Sequence, residues 1–273
     1  MFEIYNKIVL GTAQFGIKYG IANLIGKPTR KEIFGILDLA WEKGIRRFDT
    51  APDYGSEAIL GEFISTNSLQ DEVIMLTKIP SLELAPEYQH CIRKSIESSL
   101  KYLGCSFEVL FFHNAADSGL ILKDPQFFEN LLNEFPISTI GASVYEPQKV
   151  ESLSDCLFEL AFQFPLNVLD RRFEQVSMTQ SKRYARSVFL QGLLASPNGL
   201  RPGAPTELLN LQKEYHTRLA EHNLDPISFA VSYVANNNFV DYFLIGVDTE
   251  KQLQHILNLG IYERHGGAIL NML

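Results

Sequence analysis

An alternation runs the length of this chain and leaves few folds open: short apolar runs of strand character are separated by longer segments with helical spacing. Strand candidates lie at Lys7 to Ala13, Arg46 to Ala51, Val73 to Ile79, Phe107 to His113, Ile137 to Val144, Phe158 to Phe164, Ser187 to Leu193 and Tyr242 to Val247. Helix candidates lie at Arg30 to Lys43, Ser56 to Ile64, Glu87 to Tyr102, Pro125 to Glu134, Pro147 to Leu153, Glu174 to Tyr184, Thr206 to Glu221, Ile227 to Ala235 and Thr249 to Leu257. In the first of these, Ile33, Phe34, Leu37, Ala40 and Trp41 recur on one face, with Thr29 as N-cap and Gly44 as the stop. Eight strands, each followed by a helix, in 273 residues predict a single-domain (β/α)8 barrel, a class of about 250 residues. No Pro/Gly/Ser-rich linker marks a boundary, so residues 1–273 are read as one domain. A doubly wound open sheet is the rival, but its G-x-G-x-x-G turn after the first strand is missing. Nor is Gly11 to Gly16 a phosphate loop, because Lys18 falls one residue late and no Ser or Thr follows it.

Composition narrows the partners. A net charge of -8 argues against a nonspecific nucleic-acid binder. Cys91, Cys105 and Cys156 are an odd count without metal-ligand spacing, which predicts neither a disulfide framework nor a zinc site and fits a reducing compartment. The first residues, Met-Phe-Glu-Ile-Tyr-Asn-Lys, do not read as an export signal, and no apolar run reaches the roughly 18 residues that a membrane crossing requires. A cytoplasmic location is expected.

In a (β/α)8 barrel the active site lies at the C-terminal ends of the strands, which gives polar residues there functional weight. Asp49 closes the second strand candidate, Tyr54 follows in the next loop, Lys78 ends the third and His113 ends the fourth. Each has a plainer role open to it: a helix cap, an aromatic packing residue, a solvated strand end, a core histidine. Together they make a coherent acid-base centre. A phenol with a pKa near ~10 is a sluggish acid at neutral pH. Lys78 is expected to lower it, Asp49 to keep Lys78 charged and aimed, and His113 to orient a substrate carbonyl.

With these residues assembled, the chain resembles the aldo-keto reductase family over nearly its whole length. The resemblance rests on Leu10-Gly-Thr-Ala-Gln-Phe-Gly16, Gly44-Ile-Arg-Arg-Phe-Asp-Thr-Ala-Pro-Asp-Tyr-Gly55, Ser56-Glu57, Leu60-Gly61, Thr77-Lys78 and the strand ending in His113. It implies a (β/α)8 barrel and an oxidoreductase that uses NADP(H) or NAD(H), with a catalytic tetrad on Asp49, Tyr54, Lys78 and His113. Tyr54 is then the general acid/base toward an aldehyde or ketone. The implied cofactor positions are Gly11, Thr12, Ser143, Gln163, Arg186, Ser187, Gly246, Asp248 and Lys251. The chain departs from the family in three places. Val144 replaces the asparagine of a Ser-Asn pair, Arg186 or Ser187 stands where a tyrosine stacks on the nicotinamide, and Asp248 stands where a base often lies. An acid beside a 2'-phosphate is repulsive, which predicts weaker NADP preference.

The loop from Phe15 to Pro28 and the segment Asn167 to Arg172 are expected to border the pocket and favour a hydroxylated or charged substrate such as a keto-sugar, although Asp170, Arg171 and Arg172 equally suit a surface ion-pair network. A short tail after Asn258 implies an open site. Two other function classes stand beside the reductase: a nicotinamide-binding sensor or subunit with little turnover, favoured by the three departures, and an isomerase or lyase on the same barrel, disfavoured by the tetrad.

Overall fold

The computed structural model describes residues 5–82, 86–156, 158–178, 181–197 and 199–259. Eight parallel strands close into a barrel in sequence order: β1 (Ile8–Gly11), β2 (Arg47–Asp49), β3 (Ile74–Ile79), β4 (Phe107–Phe112), β5 (Ile137–Ser143), β6 (Leu160–Pro165), β7 (Lys182–Arg186) and β8 (Tyr242–Gly246). The expected (β/α)8 architecture is the one observed. The tail on which an open C-terminal edge was predicated, residues 260–273, lies outside the described residues.

The helices form because their apolar residues share a face and their ends are capped. In Arg30–Glu42, Thr29 Oγ1 accepts from the Glu32 backbone N–H while Glu32 Oε2 accepts from the Thr29 N–H at 2.7 Å, a capping box worth about 1 kcal/mol. Ile33, Ile36, Leu37 and Ala40 of that helix are buried against the barrel. Asp124, Asp225 and Thr249 cap the helices Pro125–Glu134, Pro226–Ala235 and Glu250–Asn258, each side chain accepting from the backbone N–H three residues on.

The core has two parts. A large apolar cluster lies between strands and helices. A small one, Val9, Leu76, Val109, Phe111, Ala161 and Tyr184, fills the barrel lumen. Burying a phenylalanine contributes about 1.5–3 kcal/mol, and Gly141 on β5 is what admits Phe111. A Cβ at Gly141 would lie 2.6 Å from the Phe111 ring and 2.5 Å from the Ala161 carbonyl oxygen.

The structure corrects the chain's reading in one stretch. The seventh strand is Lys182–Arg186, not Ser187 to Leu193, and no helix covers Glu174 to Tyr184 among the described residues. β6 therefore returns to β7 through turns, whereas two helices, Thr206–Glu221 and Pro226–Ala235, follow β7. The reason is chemical. β7 reads Lys-Arg-Tyr-Ala-Arg and looks like surface, yet Lys182 and Tyr184 contact Glu108 across the barrel. The apolar residues after it run through left-handed turns, with φ of 60° at Ser187, 46° at Leu190 and 55° at Gln191. A strand excludes such values.

Candidate active site

Tyr54 reaches the C-terminal mouth of the barrel through a single 3-10 turn, Pro52–Tyr54, that begins with proline and ends at Gly55 with φ 69°. The turn sits against the end of the first motif: a Cβ at Gly16 would lie 1.6 Å from the Tyr54 carbonyl oxygen. Glycine at 16 is thus a packing requirement of the turn that carries Tyr54. Behind it, Thr12 Oγ1 donates to the Asp49 carbonyl at 2.9 Å, and Ser56 Oγ lies 3.0 Å from Thr12 Oγ1 and 2.9 Å from Thr50 Oγ1. These hydroxyls tie the ends of β1 and β2 to the turn.

Beneath Tyr54 lies a buried ion pair. Lys78 Nζ donates to Asp49 Oδ1 at 2.6 Å and to the Thr50 carbonyl at 2.8 Å, and sits 4.8 Å from the centre of the Tyr54 ring. Lys78 is 1% exposed. Gln163 on β6 donates its amide to the other Asp49 oxygen at 2.8 Å. Both carboxylate oxygens and two ammonium protons are therefore satisfied, as a buried pair requires. Burial pushes the Lys78 pKa below the ordinary lysine value, and the carboxylate of Asp49 pushes it back.

The Tyr54 hydroxyl makes no hydrogen bond among the described residues. Its pKa is raised, first by burial and then by the negative charge of Asp49, with the Arg186 cation opposing. This differs from the expectation that Lys78 lowers it. Lys78 lies under the ring, paired with Asp49, and of the two charges it is the Asp49 carboxylate that acts on the phenol.

His113 follows β4, with its ring edge-on to Tyr54 at 5.6 Å between centres. Its Nδ1 lies 3.2 Å from Asp53 Oδ2. A carboxylate only accepts, so the neutral ring carries its proton on Nδ1 and leaves Nε2 with a lone pair. Burial and the Lys78 charge lower its pKa, while Asp53 works the other way. The lowered pKa favours the neutral ring.

A cavity of about 360 Å³ opens from this centre. Asp49 and Tyr54 border it; Lys78 lies beneath its floor and His113 beside Tyr54. Of the cofactor positions expected from the sequence, Gly11, Thr12, Gln163, Arg186, Ser187, Gly246 and Asp248 line it. Ser143 is buried at the end of β5, and Lys251 is exposed on the first turn of the last helix; neither lines the cavity. Gly11 and Gly246 are paired neighbours at the rim, and the Gln14 side chain lies against Gly246. The loop after β1 also borders the cavity as expected, through Tyr19, Gly20, Ala22 and Asn23. The segment Asn167 to Arg172 does not: Arg172 pairs with both Asp170 and Glu146, and Arg171 with Glu174.

Some participants left no trace in the sequence. Asn23 Nδ2 donates to Asp248 Oδ1 at 2.9 Å, which links the first loop to the last across the cavity. The two residues are 225 positions apart, and no local pattern pairs them. Asp53 was legible only as a neighbour of Tyr54. No group of three or more His, Cys, Asp or Glu side chains able to hold a metal occurs among the described residues. No helix among them is long and apolar enough to cross a membrane.

Comparison with known proteins follows the same outline. The Aldo/keto reductase family matches residues 7–262. A D-threo-aldose 1-dehydrogenase from a Pseudomonas species is 40% identical over 74 residues, 25% of this chain and 22% of that protein. The norsolorinic acid reductase stcV of Emericella nidulans is 30% identical over 151 residues, 50% of this chain and 38% of that protein. The chain thus spans well under half the length of these curated relatives. A glycerol dehydrogenase from Gluconobacter oxydans shares the fold with a TM-score of 0.74 at 19% identity, over 97% of this chain and 90% of that one.

Proposed function

The chain belongs to the aldo/keto reductase family, and from that membership we propose that it is a nicotinamide-dependent oxidoreductase reducing an aldehyde or ketone, with Tyr54 as the proton donor. The observation that carries this reading is the free Tyr54 hydroxyl at a cavity, above the hydrogen-bonded Lys78–Asp49 pair.

The residues act in defined ways. Tyr54 O–H points its proton at the substrate oxygen and transfers it as negative charge develops there. Lys78, fixed by Asp49 and Thr50, holds the ring from below and limits its motion. Arg186 supplies positive charge that stabilises the phenolate until solvent returns a proton. His113, with Nε2 bare, is an acceptor, and so suits a hydroxyl next to the carbonyl. A hydroxycarbonyl compound such as a sugar or sugar derivative fits that acceptor, and the names of the aldose and glycerol dehydrogenases above agree with it.

The cavity also fits a nicotinamide cofactor. It is lined by Gly11 and Gly246, and it reaches from Tyr54 to Asp248 and Gln252 by the N-terminus of the helix Glu250–Asn258. Thr12, Gln163 and Ser187 would hold the nicotinamide end. The helix N-terminus would favour phosphate. When bound, the reduced cofactor supplies the hydride that the carbonyl carbon takes up. Asp248 disfavours a 2'-phosphate, which points to NAD(H) over NADP(H).

The commitment of the Gln163 amide to Asp49 favours a second reading, a nicotinamide-binding subunit with little turnover. A panel of hydroxyaldehydes and hydroxyketones with NADH and NADPH, followed by cofactor absorbance, tests both. Turnover supports the oxidoreductase; cofactor binding without turnover on any substrate supports the subunit.

A further inference from the structure

Every carboxylate named around the site is already engaged, Asp248 by the Asn23 amide and the others by a cation or a histidine. Asp49 is taken by Lys78, Asp53 by His113, and Asp170 and Glu146 both by Arg172. Arg186 has no acidic partner among the described residues, although it lines the same cavity as Tyr54. Its guanidinium lies 4.0 Å from the centre of the Tyr145 ring, and donates to the Val144 carbonyl at 3.2 Å and to Ser187 Oγ at 3.3 Å. Those contacts engage two of its nitrogens with neutral acceptors and leave its charge uncompensated.

The backbone beside it is held in a costly conformation. Ser187 adopts φ 60°, and its carbonyl accepts from Asn167 Nδ2 at 3.0 Å and from the Leu190 N–H at 2.8 Å. A non-glycine residue persists there only where surrounding contacts impose it. The chain thus turns away directly after Arg186 and leaves the guanidinium at the cavity. In a chain of net charge -8, a fixed guanidinium with no carboxylate, beside the proton donor, is suited to an anion.

We infer that Arg186 anchors an anionic group of the substrate, a carboxylate or a phosphate, and so directs the site toward acidic hydroxycarbonyl compounds. The inference rests on the proposed reading that the substrate carbonyl meets Tyr54. Tyr19, which lines the same cavity, adds a hydroxyl with which such a group can share hydrogen bonds. The Arg186 charge is also the one that opposes the rise of the Tyr54 pKa, so an anion seated on it couples substrate recognition to the proton donor.

Two measurements on the NADH-saturated protein test this. The first titrates it calorimetrically with succinate, with methyl phosphate and with uncharged succinamide. An oxyanion should bind and the amide should not, and the tighter of the two oxyanions identifies the source as carboxylate or phosphate. Arg186→Met should weaken oxyanion binding about tenfold or more, and Arg186→Lys should recover part of it. The second compares kcat/KM for succinic semialdehyde and for butanal. Their ratio should fall about tenfold or more in Arg186→Met, with cofactor Kd measured alongside. Unchanged oxyanion binding in Arg186→Met, or equal loss for both aldehydes with a weakened cofactor Kd, overturns the inference. Arg186-dependent oxyanion binding without turnover of any carbonyl defeats the oxidoreductase reading but leaves the anion site standing.

Discussion

Tyr184 and Tyr54 sit among charged groups at opposite ends of the barrel, and of these two only Tyr54 has an unengaged hydroxyl. At the N-terminal end, Tyr184 donates to Glu108 at 3.2 Å, and Glu108 also lies 3.4 Å from Arg47 and 3.3 Å from Lys182. Tyr184 is fully buried, stacked on Tyr242 and edge-on to Phe111. At the C-terminal end, Tyr54 lies above Lys78 and Asp49, but its hydroxyl is unengaged and borders a cavity. Burial and a nearby carboxylate raise both phenols. The chemistry of the residues is nearly the same at the two ends. What differs is whether the hydroxyl's hydrogen-bonding capacity is spent inside the protein or left for a ligand.

That contrast orders the expected effects. The largest is at Lys78. Lys78→Met leaves Asp49 buried without its cation, and should cost about 3–5 kcal/mol of stability together with turnover. Chemical denaturation and kcat read the two losses. Retention of both would mean that Asp49 is held by Gln163 alone.

At the other end, Glu108→Gln should destabilise by about 1–3 kcal/mol, because Arg47 and Lys182 lose their shared carboxylate. Carbonyl turnover should stay near the wild-type value. A large fall in kcat in a stably folded variant would erase the distinction between the two ends.

Exchanging Asp248→Arg should move preference from NADH toward NADPH, by about 1 kcal/mol or more in relative Kd, as a repulsive charge becomes attractive. A wild-type protein that already prefers NADPH strongly would refute the role given to Asp248.

A smaller effect concerns pH. The His113 pKa lies below its ordinary value, so the neutral ring persists to lower pH, and any acid-side fall in kcat/KM should come below the usual histidine range. Asp53→Asn removes the carboxylate that favours the imidazolium and should shift that fall lower still. A shift upward would show that Asp53 does not act through His113.

How legible these two ends were in the sequence follows from the same physics. The strands leading to Lys78 and His113 are mostly apolar, so an ionisable residue at their ends stands out, and the barrel rule assigns those two and Asp49, at the end of β2, to the mouth. β7 is charged because its side chains enter the polar end of the lumen and the cavity, so it passed for surface, while the apolar residues after it passed for the strand. Arg186 was consequently placed by resemblance rather than by its position at a strand end. The field at Tyr54 was equally hidden. Lys78 and Asp49 were both visible, but not that the carboxylate would outweigh its paired ammonium at the phenol and leave Arg186 as the opposing cation. The Asn23–Asp248 bond and the Glu108 cluster join residues far apart in sequence, beyond the reach of periodicity.

The most direct test of the account is kcat of Tyr54→Phe for a hydroxycarbonyl substrate, with cofactor Kd measured by fluorescence on the same preparation. The account predicts a kcat lower by a factor on the order of 100 or more with cofactor Kd nearly unchanged. Turnover equal to wild type would contradict it.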